Sequence, residues 1–254
     1  MAIQHSYGQF VWRELGTSDV PAALEFYRAL FGWRIEKSPN ADMAYWLCYA
    51  GEHQVAGVMQ MPPDAPRPYW LPSVSVPDVD GASAAATEHG ARLAVPPTPI
   101  PGIGRFSVVV DPQGAVFSLY RCDAGDRPWT TPTPGEFCWE QLGAPDHDAA
   151  KGFYAAVVGW GARAFGAGGD TTTQVFTLDG QSMASLTPLP PNTPPHWLSY
   201  VLVDDLGRAH ECVRRFGGTV LMERWEVPTV GFIAVVADPQ GAVLGLLEAP
   251  RPAA

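Results

Sequence analysis

The chain repeats itself. Residues 10–33, FVWRELGTSDVPAALEFYRALFGW, return as residues 137–160, FCWEQLGAPDHDAAKGFYAAVVGW. Trp12 matches Trp139, Leu15 matches Leu142, Gly16 matches Gly143 and Asp19 matches Asp146. The pairs Phe26–Tyr27 and Gly32–Trp33 match Phe153–Tyr154 and Gly159–Trp160, always 127 residues later. The offset persists at Trp70 and Trp197, Val76 and Val203, Gly90 and Gly217, and at DPQGA, which starts at Asp111 and again at Asp238. Small insertions around residues 165–190 shift the register by one or two before it recovers. Self-similarity at a fixed long offset is the mark of a duplicated architecture. We therefore expect a first domain over residues 1–124, a Pro/Thr/Gly-rich linker over 125–134, and a second domain over 135–250.

Each half divides again. Asp19 opens a helix after an apolar strand; Pro21 sits in its first turn, and Ala23, Phe26, Tyr27 and Leu30 form an apolar stripe at helical spacing. Asp78 opens a second helix that ends near Gly90, and Asp146 and Asp205 repeat the arrangement in the second half. Alternating strands follow, at residues 45–50 and 55–61 around a GEH turn, and at 106–110 and 115–120 around DPQG. Every quarter reads βαβββ. The fold class is α+β, with mixed, mostly antiparallel, curved sheets.

Composition narrows the partners. The 254 residues are 46% hydrophobic and carry 16 basic against 26 acidic side chains, a net charge of −10. Only Lys37 and Lys151 are lysines, and no Lys/Arg run occurs, so neither nucleic acid nor an anionic membrane is an expected partner. No window approaches the run of about 18 apolar residues that a membrane span requires. The N-terminal residues lack the basic and apolar regions of a signal peptide. Cys48, Cys122, Cys138 and Cys212 show no CxxC spacing and read as reduced thiols of a cytoplasmic protein. A small-molecule ligand, with the chain a monomer or homodimer, is the expected partnership.

The paired strand–Asp–helix with FY…FGW, the V-x-D-V-D helix opening and the late DPxG hairpin resemble the vicinal oxygen chelate superfamily. That superfamily includes glyoxalases, bleomycin-resistance proteins and extradiol dioxygenases. The resemblance covers the whole chain and implies two tandem domains, each of two βαβββ units forming a cupped mixed sheet around a cavity. It also implies a divalent metal held by His and Glu/Gln side chains. The matching positions here are Trp12, Leu71 and Ser118 in the first half, and Trp139, Leu198 and Gly245 in the second. None is a strong donor, and tryptophan has no lone pair to offer. The expected cofactor is therefore none, with a divalent metal disfavoured.

Other residues do not restore a ligand set. His5, His53, His89, His147 and His210 read as solvent-facing, while His196 shares a strand face with Leu198. By alternation Phe10, Trp12 and Glu14 lie on one face, and Phe137, Trp139 and Gln141 on its counterpart. Glu14 reads either as a general base in an apolar pocket or as a strand carboxylate, paired with arginine or wetted at the cavity mouth. Trp12 and Trp139 read as stacking platforms or as space-filling core, and Trp33 and Trp160 as core. Tyr45, Met59, Ser73, Ser118 and Tyr200 join the ligand-binding candidates, together with Leu71, Leu198, Gln141 and His196. Asp111 and Asp238 read as turn formers. No HExxH, P-loop, GxGxxG or GxSxG motif is present.

The expectation is a glyoxalase-like protein that binds a small apolar or aromatic metabolite. A metal-free lyase-, isomerase- or hydroxylase-type step is the activity such a pocket would support. Two rivals stand beside it: a metal-dependent glyoxalase, hydroxylase or dioxygenase with other ligands, and a non-catalytic sequestration or resistance protein.

Overall fold

The computed structural model describes residues 3–39, 44–165 and 173–250. Residues 166–172, within the stretch where the repeat register slips, lie outside the described residues. The first quarter runs β1 (Phe10–Thr17), α1 (Val20–Phe31), β2 (Arg34–Lys37), β3 (Tyr45–Ala50) and β4 (His53–Gln60). The second runs β5 (Tyr69–Ser75), α2 (Val79–Glu88), β6 (Arg92–Ile100), β7 (Gly104–Val110) and β8 (Val116–Cys122). The third is β9 (Phe137–Gly143), α3 (His147–Val158), β10 (Gly161–Ala164), β11 (Gln174–Leu178) and β12 (Gln181–Thr187). The fourth is β13 (His196–Val203), α4 (Leu206–Arg215), β14 (Thr219–Val227), β15 (Gly231–Ala237) and β16 (Val243–Glu248). The βαβββ order expected of each quarter is present four times.

Local chemistry sets the helix ends. Asp19, Asp78, Asp146 and Asp205 are the N-caps, their side chains accepting from Ala22, Asp80, Ala149 and Arg208 backbone N–H groups. Such a cap satisfies one of the four donors that a helix start leaves unpaired. Gly32 and Gly159 close α1 and α3 with φ of 68° and 77°, a conformation that a β-carbon disfavours. Among the described residues no helix is long and apolar enough to cross a membrane.

The strands form two eight-stranded mixed sheets, ordered β2-β3-β4-β1-β5-β8-β7-β6 and β10-β11-β12-β9-β13-β16-β15-β14. Hairpin neighbours are antiparallel, while β1 with β4, β5 with β8, β9 with β12 and β13 with β16 are parallel. The two sheets therefore repeat one topology, as the 127-residue offset in sequence requires.

Compactness follows a different division. Unit one gathers Met1–Val11, Leu71–Thr130 and Glu140–Trp197; unit two gathers Trp12–Trp70, Thr131–Trp139 and Leu198–Ala254. Each unit thus combines one quarter from each half of the chain. In unit two, α1 packs on α4, and Leu15, Phe26, Tyr27 and Trp33 share a core with Val201, Leu206, Val213 and Leu244. In unit one, α2 packs on α3, and Val74, Phe117 and Leu119 share a core with Leu142, Phe153, Tyr154 and Trp160.

Buried polar atoms repeat the same logic inside each core. In unit two, Trp70 Nε1 donates to Tyr27 Oη at 3.0 Å, and Tyr27 donates to Asp238 Oδ2 at 3.0 Å. In unit one, Trp197 Nε1 donates to Tyr154 Oη at 2.9 Å, and Tyr154 donates to Asp111 Oδ2 at 3.0 Å. The other oxygen of each aspartate organises its DPQG turn: Asp111 Oδ1 accepts from the backbone of Gln113, Gly114 and Ala115. Asp111 and Asp238 are turn formers as expected, and they also seat a tyrosine. Trp33 and Trp160 are core, each 2% exposed, with indole bonds at 2.7 Å to the Gly135 and Gly8 carbonyls.

Two histidine expectations need correction, and two aromatic rings find partners that strand alternation does not name. The Phe10 ring packs on Trp160 and Trp197, with centroids 5.4 and 5.2 Å apart. Phe137 likewise packs on Trp33 and Trp70. His210 is buried, not solvent-facing, because the apolar face of α4 carries it against the core beside Glu223. Burial holds its pKa below the ordinary imidazole value. His5 is half-buried, stacked on Tyr7. The stretch between the halves has no helix or strand, yet it is tied down at both ends. Asp126 accepts from Ser6 N and Ser75 Oγ; Glu136 meets His53 Nδ1 at 2.8 Å and accepts from Thr133.

Candidate active site around Glu14

Glu14 lies in β1, and its Cα partner on the parallel neighbour β4 is Gly57. The missing side chain at Gly57 is filled from one strand further out. Tyr45 sits on β3, paired with Met59, and its hydroxyl lies over Gly57 so closely that a β-carbon there would come within 1.8 Å. From that position Tyr45 donates to Glu14 Oε2 at 3.1 Å and accepts from Trp12 Nε1 at 3.2 Å. A second phenol approaches the same way: Tyr69 lies over Gly16, where a β-carbon would meet its ring at 2.5 Å. Trp12, Glu14, Tyr45, Met59 and Tyr69 are all half-buried.

The electrostatics follow from that setting. Burial pushes the Glu14 carboxyl above the ordinary carboxylate range, and the Tyr45 hydrogen bond pulls it partway back. Tyr69 is pushed up to about 12, first by burial and then by the negative charges of Glu14 and Asp64. A desolvated carboxylate among aromatic rings is the arrangement expected of a general base. The reading of Glu14 as an arginine-paired strand carboxylate finds no support, because its hydrogen bond comes from a phenol.

The second half is built differently. Gln141 stands for Glu14, Ser185 is its Cα partner in place of Gly57, and Thr173 precedes Gln174 where Tyr45 precedes Trp46. No carboxylate or phenol pair is available at these positions. His196 takes the position of Tyr69; its Nδ1 bonds the Pro194 carbonyl at 2.9 Å, and its Cε1 faces Gly143. In unit two, Tyr200 is buried with its ring over Gly245, where a β-carbon would meet it at 2.3 Å. Burial, followed by the Cys138 thiol, raises the Tyr200 hydroxyl above its usual value. Trp139 is half-buried in unit two and Leu198 buried there.

Of the remaining candidates, Leu71, Ser73 and Ser118 are buried in unit one, with Ser73 and Ser118 in register between β5 and β8. Tyr69 is the residue that sequence reasoning missed. The available signal was Gly16, because a glycine inside a strand marks a close approach by another group.

The superfamily's metal does not fit these residues. Trp12 and Trp139 are donors only, leucine and glycine side chains offer nothing, and Ser118 alone is a weak ligand. Among the described residues no group of three or more His, Cys, Asp or Glu could hold a metal ion.

Four βαβββ modules in two eight-stranded mixed sheets define an α+β fold of the glyoxalase and dioxygenase type. The Glyoxalase/Bleomycin resistance protein/Dioxygenase superfamily matches residues 8–119 and again 139–246, and the chain belongs to that superfamily. It is 32% identical to CFP32 of Mycobacterium tuberculosis, a protein provisionally named a glyoxylase, over 95% of this chain and 94% of that one. It is 28% identical to the anthracycline biosynthesis protein DauV of Streptomyces sp. strain C5, over 95% and 93%. The crystal structure of an Mn(II)-bound glyoxalase from Novosphingobium aromaticivorans shares the fold at a TM-score of 0.64 and 19% identity, covering 95% of this chain and 82% of that one.

Proposed function

We propose that this chain binds a small, planar aromatic metabolite at the Trp12–Tyr45–Glu14 site and moves a proton on it without a metal. The single observation that carries the reading is the bonded cluster itself. Where the superfamily's metal chemistry calls for a ligand there is an indole, and two residues along stands a desolvated carboxylate. Trp12 and Tyr69 offer flat apolar surface on which an aromatic ring can stack. The likeness to a protein of anthracycline biosynthesis supports a polycyclic aromatic as the ligand class.

The chemistry is an isomerase-type proton transfer. Glu14 takes a proton from an acidic O–H or C–H of the ligand and becomes a neutral carboxyl, while the ligand keeps the electron pair. The proton then returns to the ligand at another atom, so nothing is oxidised or reduced. General-base help of this kind contributes about 10²–10⁴ in rate. Gln141 cannot exchange a proton in this way, so the second half binds without reacting. Four free thiols fit a cytoplasmic setting.

Mass spectrometry of small molecules released from the purified protein, with elemental analysis of the same sample, tests the reading. An aromatic metabolite without stoichiometric metal supports it. Stoichiometric Fe, Mn, Ni or Zn favours the metal-dependent alternative, and a released compound that the protein never converts favours sequestration.

A further inference from the structure

We propose that Tyr45 is the positioning residue of this site: Trp12 fixes its oxygen, its one proton is committed to Glu14 Oε2, and Oε1 is left to meet a hydrogen-bond-donating ligand. The inference rests on the reading of Glu14 as the group that faces the ligand.

The direction of the chain follows from donor arithmetic. An indole N–H can only donate, so Tyr45 Oη must be the acceptor in its 3.2 Å contact with Trp12 Nε1. A phenol has one proton, and the carboxylate at 3.1 Å is where it goes. The geometry is purpose-specific. Tyr45 is on β3, and the strand order β3-β4-β1 puts it two strands from Glu14, roughly 10 Å at ordinary strand spacing. Only a long side chain lying across β4 can span that gap, and Gly57 leaves the space for it. The second half has neither part: Ser185 holds the place of Gly57, and Thr173 that of Tyr45.

The arrangement also selects the ligand. With Oε2 occupied by Tyr45, Oε1 accepts a hydrogen bond from a neutral hydroxyl on the aromatic ring. A ligand bearing a carboxylate or phosphate at that point would set a second negative charge against Glu14 in a poorly hydrated place. The substrate class is therefore a neutral hydroxyaromatic.

The full-length protein tests this without a ligand, by following the Trp12 indole N–H and the Glu14 carboxyl carbon by NMR across a pH titration. Trp12→Phe assigns the indole signal. In the wild type the Trp12 signal should move with the same midpoint as Glu14. Tyr45→Phe keeps the ring; it should flatten the Trp12 response and shift the Glu14 midpoint upward, because a bond favouring the charged form is gone. Glu14→Gln should flatten Trp12 as well, and Gly57→Ala should reproduce the Tyr45→Phe result. A Trp12 signal that stays flat while wild-type Glu14 titrates would overturn the proposal. So would a Glu14 midpoint that Tyr45→Phe leaves in place or lowers. Either result leaves ligand binding untouched, whereas an intact chain in a protein that binds no aromatic defeats only the proposed function.

Discussion

The Tyr27 hydroxyl donates to Asp238 Oδ2 at 3.0 Å, joining the first helix of one half to the last hairpin of the other. Burial first, then the Asp238 charge, raises the Tyr27 hydroxyl well above its usual value, so it is a committed donor. Tyr27→Phe leaves Asp238 Oδ2 and Trp70 Nε1 short of a partner inside the core. We expect a loss of about 1–3 kcal/mol in urea unfolding. Tyr154→Phe should cost a similar amount through Asp111 and Trp197. Losses below about 0.5 kcal/mol in both would mean that the bonds are incidental.

The same aspartate gives stability a pH dependence of definite sign. Burial, its largest influence, raises Asp238 above 3.8 in the folded protein. The folded state therefore binds the proton more tightly, and the contribution of Asp238 to stability falls as pH rises through that window. The destabilisation caused by Asp238→Asn should accordingly be larger at acidic pH and shrink as pH rises. Denaturant unfolding of both proteins at a series of pH values checks this, and a cost that grows with pH contradicts it.

Glu14 should separate function from stability. Its pKa is also raised above 4.5, so ionisation opposes folding. Glu14→Gln should gain stability relative to wild type as pH rises from the unfolded pKa through the folded one, with no further gain beyond it. Single-turnover rates on the co-purified metabolite should fall by about 10²–10⁴ in the same variant, with affinity within a few-fold. In the wild type, the rate should fall as pH drops through the Glu14 pKa. An unchanged rate in Glu14→Gln would make sequestration the better account.

Gly245→Ala should disturb the second half through Tyr200. The new methyl would fall 2.3 Å from the ring, which is buried and cannot swing to solvent. Overpacking of this kind costs about 1–3 kcal/mol. Thermal unfolding is the check, and a Tm equal to wild type would mean that Tyr200 moves aside freely.

Much of this architecture was legible in the residues. The repeat, the four aspartate caps and the glycine helix ends are local signals, each with a backbone cause that no distant contact overrides. Face assignment was legible in part: alternation put Trp12 and Glu14 together, but it did not name the partners of Phe10, whose ring packs on Trp160 and Trp197. What alternation cannot supply is the neighbour. Asp111 and Asp238 announced turns, but nothing in DPQG names Tyr154 and Tyr27 as partners, because those contacts depend on which quarters pack together. Tyr45 was a second-rank candidate for a related reason. Its reach to Glu14 depends on strand order and on the empty place at Gly57, and neither is local. His210 was misread because α4 is strongly polar in composition, while one face of it is buried.

A calorimetric titration of the chelator-stripped protein with a neutral hydroxyanthraquinone, repeated with Mn(II) or Zn(II) added, reaches the central claim most directly. The account predicts saturable binding that added metal leaves unchanged and that Trp12→Ala weakens by about tenfold or more, the order expected when a stacking surface is lost. Binding that appears only when metal is present, or that Trp12→Ala does not affect, would contradict it.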